Sequence, residues 1–130
     1  MRIHQPLLAL AILFLTPFLV CAQPTRETFI VHGRLISGNG TPACRIWVVG
    51  SKRILGVHEL QGEIPDMPEK LLDLLAYGRR PDQYRDIYAD FELEALTPDR
   101  PGHMRIVRIV SASKIVVTKD HAIILTKAHL

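Results

Sequence analysis

The chain has 130 residues, with 16 lysines and arginines against 13 acidic residues, a formal charge of +3 and a hydrophobic fraction of 48%. That length holds at most one ordinary domain, and that hydrophobicity excludes wholesale disorder. The charge surplus is too small for a dedicated nucleic-acid protein, and the scattered prolines and glycines exclude a collagen-like or low-complexity chain.

Residues 1–22 read as an export signal. Arg2 supplies a positive n-region, and residues 7–20 (LLALAILFLTPFLV) form an apolar h-region interrupted by Thr16 and Pro17. Val20-Cys21-Ala22 then sets small or β-branched residues at positions −3 and −1, so cleavage is expected after Ala22. This leaves residues 23–130 as one exported domain, periplasmic or secreted. A helix needs about 20 apolar residues to cross a bilayer, and the sequence after the leader has no such run. The alternatives are a retained anchor and lipid attachment at Cys21, although Val20 is large for the residue before a lipidated cysteine. Cleavage removes Cys21, so Cys44 has no disulfide partner within the chain and is expected as a small buried hydrophobe. An intermolecular disulfide and a nucleophilic role are the sharper alternatives.

Residues 29–37 (FIVHGRLIS) are rich in strand formers, with Gly33 marking a bend or bulge. A turn cluster at residues 38–42 leads into a second strand at 43–49 (ACRIWVV). Gly50-Ser51-Lys52 connects it to a third, residues 53–58 (RILGVH), completing a meander. Asp66 is then placed to cap a helix, with Glu69 completing a capping box and Pro68 tolerated in the first turn. Met67, Leu71, Leu74 and Leu75 make one apolar stripe, and Gly78 terminates it. Residues 87–96 (IYADFELEAL) alternate cleanly: Ile87, Ala89, Phe91, Leu93 and Ala95 share one face, while Tyr88, Asp90, Glu92 and Glu94 share the other. After a turn at 97–103, residues 104–110 start a strand that Ser111-Ala112-Ser113 bends before 114–118 continue it. A short last strand is expected at 122–126.

Three strands, a helix and two further strands, the last of them long, is the element order of an OB-fold. Over residues 28–118 the chain resembles OB-fold proteins, which implies a five-stranded barrel with the helix between strands 3 and 4. Residues 45–57 (RIWVVGSKRILGV) also resemble small exported bacterial proteins of uncharacterised activity. The alternative fold is a β-sandwich or an α+β sheet packed on the single helix. Neither likeness carries catalytic residues.

The resemblance implies a binding face on strands 2 and 3, flanked by the loops at 37–42 and 97–103. Alternation turns Cys44, Ile46 and Val48 inward and Arg45, Trp47 and Val49 outward, so that face would present Arg45, Trp47, Lys52 and Arg53. An indole stacks on a sugar ring or base, and adjacent cations neutralise acidic groups. The competing expectation is a buried Trp47, with Arg34, Arg45, Arg105 and Arg108 pairing across strands with Asp90, Glu92 and Glu94.

Chemistry finds little purchase. The histidines at 32, 58, 103, 121 and 129 have no HxxxH or HExxH spacing, so no metal or other cofactor is expected. No serine lies in a GxSxG context, and no glycine-rich phosphate loop occurs, so no catalytic residue is assigned and the chain does not read as an enzyme. The expectation is an exported binding module for an anionic or carbohydrate-like ligand, a polysaccharide or lipid head group among them. Export makes nucleic acid an unsuitable partner. A protein-interaction domain using the last strand as an exposed edge is the second expectation, and a small extracytoplasmic hydrolase or inhibitor the third.

Overall fold

The structure is a computed structural model that describes residues 26–130, and the expected leader lies outside them. Among the described residues the chain is mainly β with one α-helix. In order, it forms β1 (Thr28–Ser37), β2 (Cys44–Val48), β3 (Ile54–Val57), β4 (Glu59–Leu60), β5 (Ile64–Pro65), α1 (Glu69–Leu75), a 3-10 turn (Pro81–Gln83), β6 (Asp86–Ala95), β7 (Ile106–Lys119) and β8 (Ala122–His129).

Six strands make one sheet in the order β3-β2-β1-β6-β7-β8. A short parallel pairing, Gly56↔Ile106 and Val57↔Val107, also joins β3 to β7. Strands β1, β2, β3, β7 and β6 therefore follow one another in a closed ring. Strand β8 lies outside it, antiparallel to residues 113–119 of β7. The closure runs through Gly56, where a Cβ would lie 2.8 Å from Ile106 Cδ1 and 2.9 Å from Met104 Sδ. Gly33 does the same service within the ring, because a Cβ there would meet Ile46 Cγ2 at 2.5 Å and the Trp47 carbonyl at 3.3 Å. Strand β1 continues through this glycine with no register shift, pairing it with Val48 on one side and Ala89 on the other.

The ring encloses the core. Alternate residues point inward from each strand: Leu35 from β1, Cys44 and Ile46 from β2, Leu55 and Val57 from β3, and Ile87, Ala89, Phe91 and Leu93 from β6. Leu71 and Leu75 of α1 join them, one turn apart on the same helix face. Met67 and Leu74 pack at its margin.

Three local expectations need correction. First, Asp66 does not cap the helix: Pro68 is the N-cap residue, and no side chain bonds the first turn. Asp66 instead ties the segment before α1 to β7. Its carbonyl accepts from Ile109 N at 3.0 Å, and its carboxylate lies 3.7 Å from Arg108 Nε and 3.5 Å from His58 Nδ1. The helix ends at Ala76, in the left-handed region at φ 57°, two residues before Gly78. Second, the long strand expected over 104–118 starts at Ile106, and the bend expected at 111–113 takes the form of bulges on either side of it. β7 is continuous and absorbs two register shifts against β6, between Tyr88/Asp90 and between Glu92/Leu93. Its buried residues Val107, Ile109, Ala112, Ile115 and Val117 therefore step by two or by three, and each extra residue marks a bulge. Third, β8 runs to His129, and the β4–β5 hairpin has no counterpart in the sequence expectations.

Candidate functional site

Strand β2 has the expected parity. Cys44 and Ile46 are fully buried, while Trp47 is 44% exposed on the outer surface. Trp47 pairs with Ile54 of β3 on one side and Arg34 of β1 on the other, and Arg34 in turn pairs with Tyr88 of β6. Cross-strand partners share a face, so Trp47, Arg34 and Tyr88 form a row across three strands. The Arg34 guanidinium lies 5.8 Å from the centre of the Tyr88 ring, within cation–π range.

The row floors an open cavity of about 460 Å³ that Val49, Ser51 and Lys52 complete. That volume falls in the range of small-molecule sites. Its rim is the β2–β3 turn, which is held by its own hydrogen bonds. Gly50 takes φ 79°, a conformation a side chain would strain. Ser51 Oγ donates to the Val48 carbonyl at 2.8 Å and accepts from Arg53 N at 3.0 Å. The Ser51 carbonyl accepts the Trp47 indole N–H at 2.8 Å. The indole is thus anchored by its edge.

The charges divide unevenly. Arg34 donates through Nε to Asp86 at 2.9 Å and makes a second bond to the same oxygen through its other guanidinium nitrogen. That carboxylate raises the Arg34 pKa above its ordinary value, so the guanidinium stays charged and compensated. Among the described residues, the ion pairs do not include Lys52, which leaves its ammonium as the cation open to an incoming anion.

The four sequence-selected residues are not all brought together. Trp47 and Lys52 share the cavity. Arg45 lies on the same outer face, two residues before Trp47, but bonds the Pro42 carbonyl at 3.2 Å and does not line the cavity. Arg53 precedes β3 and lines a separate cavity with Phe29, Leu55 and Arg105, where it pairs with Asp99 at 3.0 Å. Neither expected flanking loop borders the groove. Residues of the 97–103 loop line their own cavity with Met104, and Thr41 and Pro42 face Val57 and Ile106. Arg34 and Tyr88 enter in their place. Their outward parity is readable from alternation, but their meeting depends on the pairing of β1 with β6, more than fifty residues apart.

The acidic row on β6 is engaged by neighbours. Asp90 bonds His32 and Lys114, Glu92 accepts from Ser111 Oγ at 2.8 Å, and Glu94 meets Arg26 and Arg108. Of the arginines expected to pair with this row, Arg108 does so, whereas Arg34 takes Asp86 and Arg105 takes Glu27. Among the described residues, no three His, Cys, Asp or Glu side chains converge as a metal-ligand set. No helix among them is long and apolar enough to cross a membrane. Comparison of the chain with protein-family models, with curated proteins and with solved structures gave no match.

Proposed function

We propose that the protein is an exported, non-enzymatic binding module of OB-like barrel architecture, which takes an anionic or carbohydrate-like ligand on its outer face at Trp47. The barrel reading draws support from the strand ring, with β3 parallel to β7 and the helix falling in sequence between the third and fourth ring strands. The export reading draws on the leader-like residues 1–22.

One observation carries the ligand reading. A half-exposed indole, anchored through its N–H, lines a cavity with a row-mate tyrosine and with Lys52, which enters no ion pair among the described residues. Sugar rings stack on such faces through their C–H groups, and a carboxylate on the ring would meet Lys52. The test is calorimetric titration of residues 23–130 with galacturonic acid. Saturable binding heat that weakens with salt and disappears in a folded Trp47→Ala variant supports the reading. Binding that survives Trp47→Ala sinks it.

A second reading rests on β8. All eight of its residues are exposed, including Ile123 at 67%, and one of its edges carries no strand partner among the described residues. A strand edge of this kind pairs with an extended segment of another protein. A partner captured by the full domain and lost on removal of residues 122–130 would favour it.

A further inference from the structure

Next to the Trp47 cavity lies a second, of about 220 Å³, lined by Arg34, Tyr84, Thr118, Lys119 and His121. Arg34 borders both, and its partner Asp86 lines the second, so the Arg34–Asp86 pair stands at their junction. Alone, the second cavity is smaller than the roughly 300 Å³ at which small-molecule sites begin. It has the size of an extension.

We propose that the two cavities form one groove with two subsites, built for an acidic oligosaccharide of at least two rings; this rests on the ligand reading above. The subsites differ in chemistry. The first offers the faces of Trp47 and Tyr88 with Lys52 at its rim. The second is polar, and Lys119 stands there as Lys52 does in the first: neither enters an ion pair among the described residues. The two lysines come from opposite sides of the β1–β6 pair, Lys52 from the β2–β3 turn and Lys119 from the end of β7. A single uronic acid ring, stacked on Trp47, engages Lys52. Two linked rings place a carboxylate on each.

The carboxylates in the second subsite favour a saccharide over a polyphosphate. Asp86, already compensated by Arg34, and Asp120 accept hydrogen bonds from sugar hydroxyls but repel a dense polyanion. This subsite is also shaped before a ligand arrives. Asp120 and His121 take φ 50° and 67°, the left-handed pair of a two-residue hairpin turn, and the Lys119↔Ala122 pairing closes it. Preformed contacts cost less ordering on binding.

The experiment compares galacturonic acid with α-1,4-linked digalacturonic acid by calorimetry on residues 23–130. We expect the disaccharide to bind about tenfold tighter, because its second ring meets Lys119 at high effective concentration. A folded Lys119→Gln variant should bring the disaccharide back to the affinity of the monosaccharide while leaving the monosaccharide unchanged. Equal affinities for the two sugars in the unaltered protein overturn the two-subsite proposal and leave the Trp47 reading standing. So does a Lys119→Gln variant that retains the full gain. Failure of both sugars to bind overturns the two together.

Discussion

His32 Nδ1 lies 2.7 Å from Asp90 Oδ1, joining β1 to β6 on the outer face of the ring, and Lys114 Nζ reaches the other carboxylate oxygen at 3.4 Å. The His32 hydrogen bond is the main reason the Asp90 carboxyl is held below its ordinary range, with Lys114 adding to it. A carboxyl with a lowered folded-state pKa contributes stability above its unfolded-state pKa, and that contribution is lost as pH falls through the folded value. His32→Ala should therefore move the Asp90 midpoint upward, toward an ordinary aspartate, in a carbon-detected NMR titration. The acid limb of the stability curve should flatten with it. An unmoved midpoint would mean that Lys114 alone sustains the shift.

Cys44 is fully buried at the start of β2, and that burial pushes its thiol up to about 11, against a smaller opposing effect of the Ser37 hydrogen bond. The thiolate is the reactive form, so Cys44 should be inert to a disulfide reagent at pH 8 in the folded protein. Labelling should appear with the unfolding transition in urea and follow its midpoint. Rapid labelling without denaturant would show that β2 opens locally.

How far the fold could be read from residues depended on whether a signal was local. Alternation in β6 fixed the inward set Ile87, Ala89, Phe91, Leu93 and Ala95 correctly, because each residue's face depends only on its strand. The same rule placed Trp47 outside and Ile46 inside. Along β7 strict alternation does not hold, because each bulge shifts parity by one residue; the sequence offers only the bend at 111–113 as a sign of it. Asp66 misled for a different reason. A capping box is a local pattern, but Asp66 is drawn to Ile109 and Arg108, more than forty residues away. The groove was half legible. Trp47 and Lys52 sit on neighbouring segments, whereas Arg34 and Tyr88 reach them through a strand pairing that composition and spacing do not encode.

Gly33 and Gly38 give a contrast within ten residues. A methyl at Gly33 would overlap Ile46 Cγ2 at 2.5 Å, and the nearby Trp47 carbonyl is backbone that cannot swing away. Gly33→Ala should cost about 1–3 kcal/mol, the usual penalty for overpacking a filled core. Gly38 has no atom within 4 Å of a built Cβ and no positive φ. Gly38→Ala should leave stability unchanged or raise it by up to about 1 kcal/mol, through loss of unfolded-state freedom. Urea melts of both variants check the pair, and equal destabilisation would contradict the packing argument at Gly33.

Trp47 is the only tryptophan in the sequence, so its emission reports one environment. The indole is 44% exposed, with its N–H held by the Ser51 carbonyl and Arg34 as its cross-strand partner. Its emission should be red-shifted relative to a core indole, and acrylamide should quench it readily in the folded domain. Urea should then change quenching only modestly, because the ring is already half in water. A blue-shifted, protected signal would mean that another surface covers the groove in solution. Dilution separates the two forms such a cover can take: protection lost on dilution indicates a second copy of the chain, and protection that persists indicates rearrangement of the β2–β3 turn over the ring.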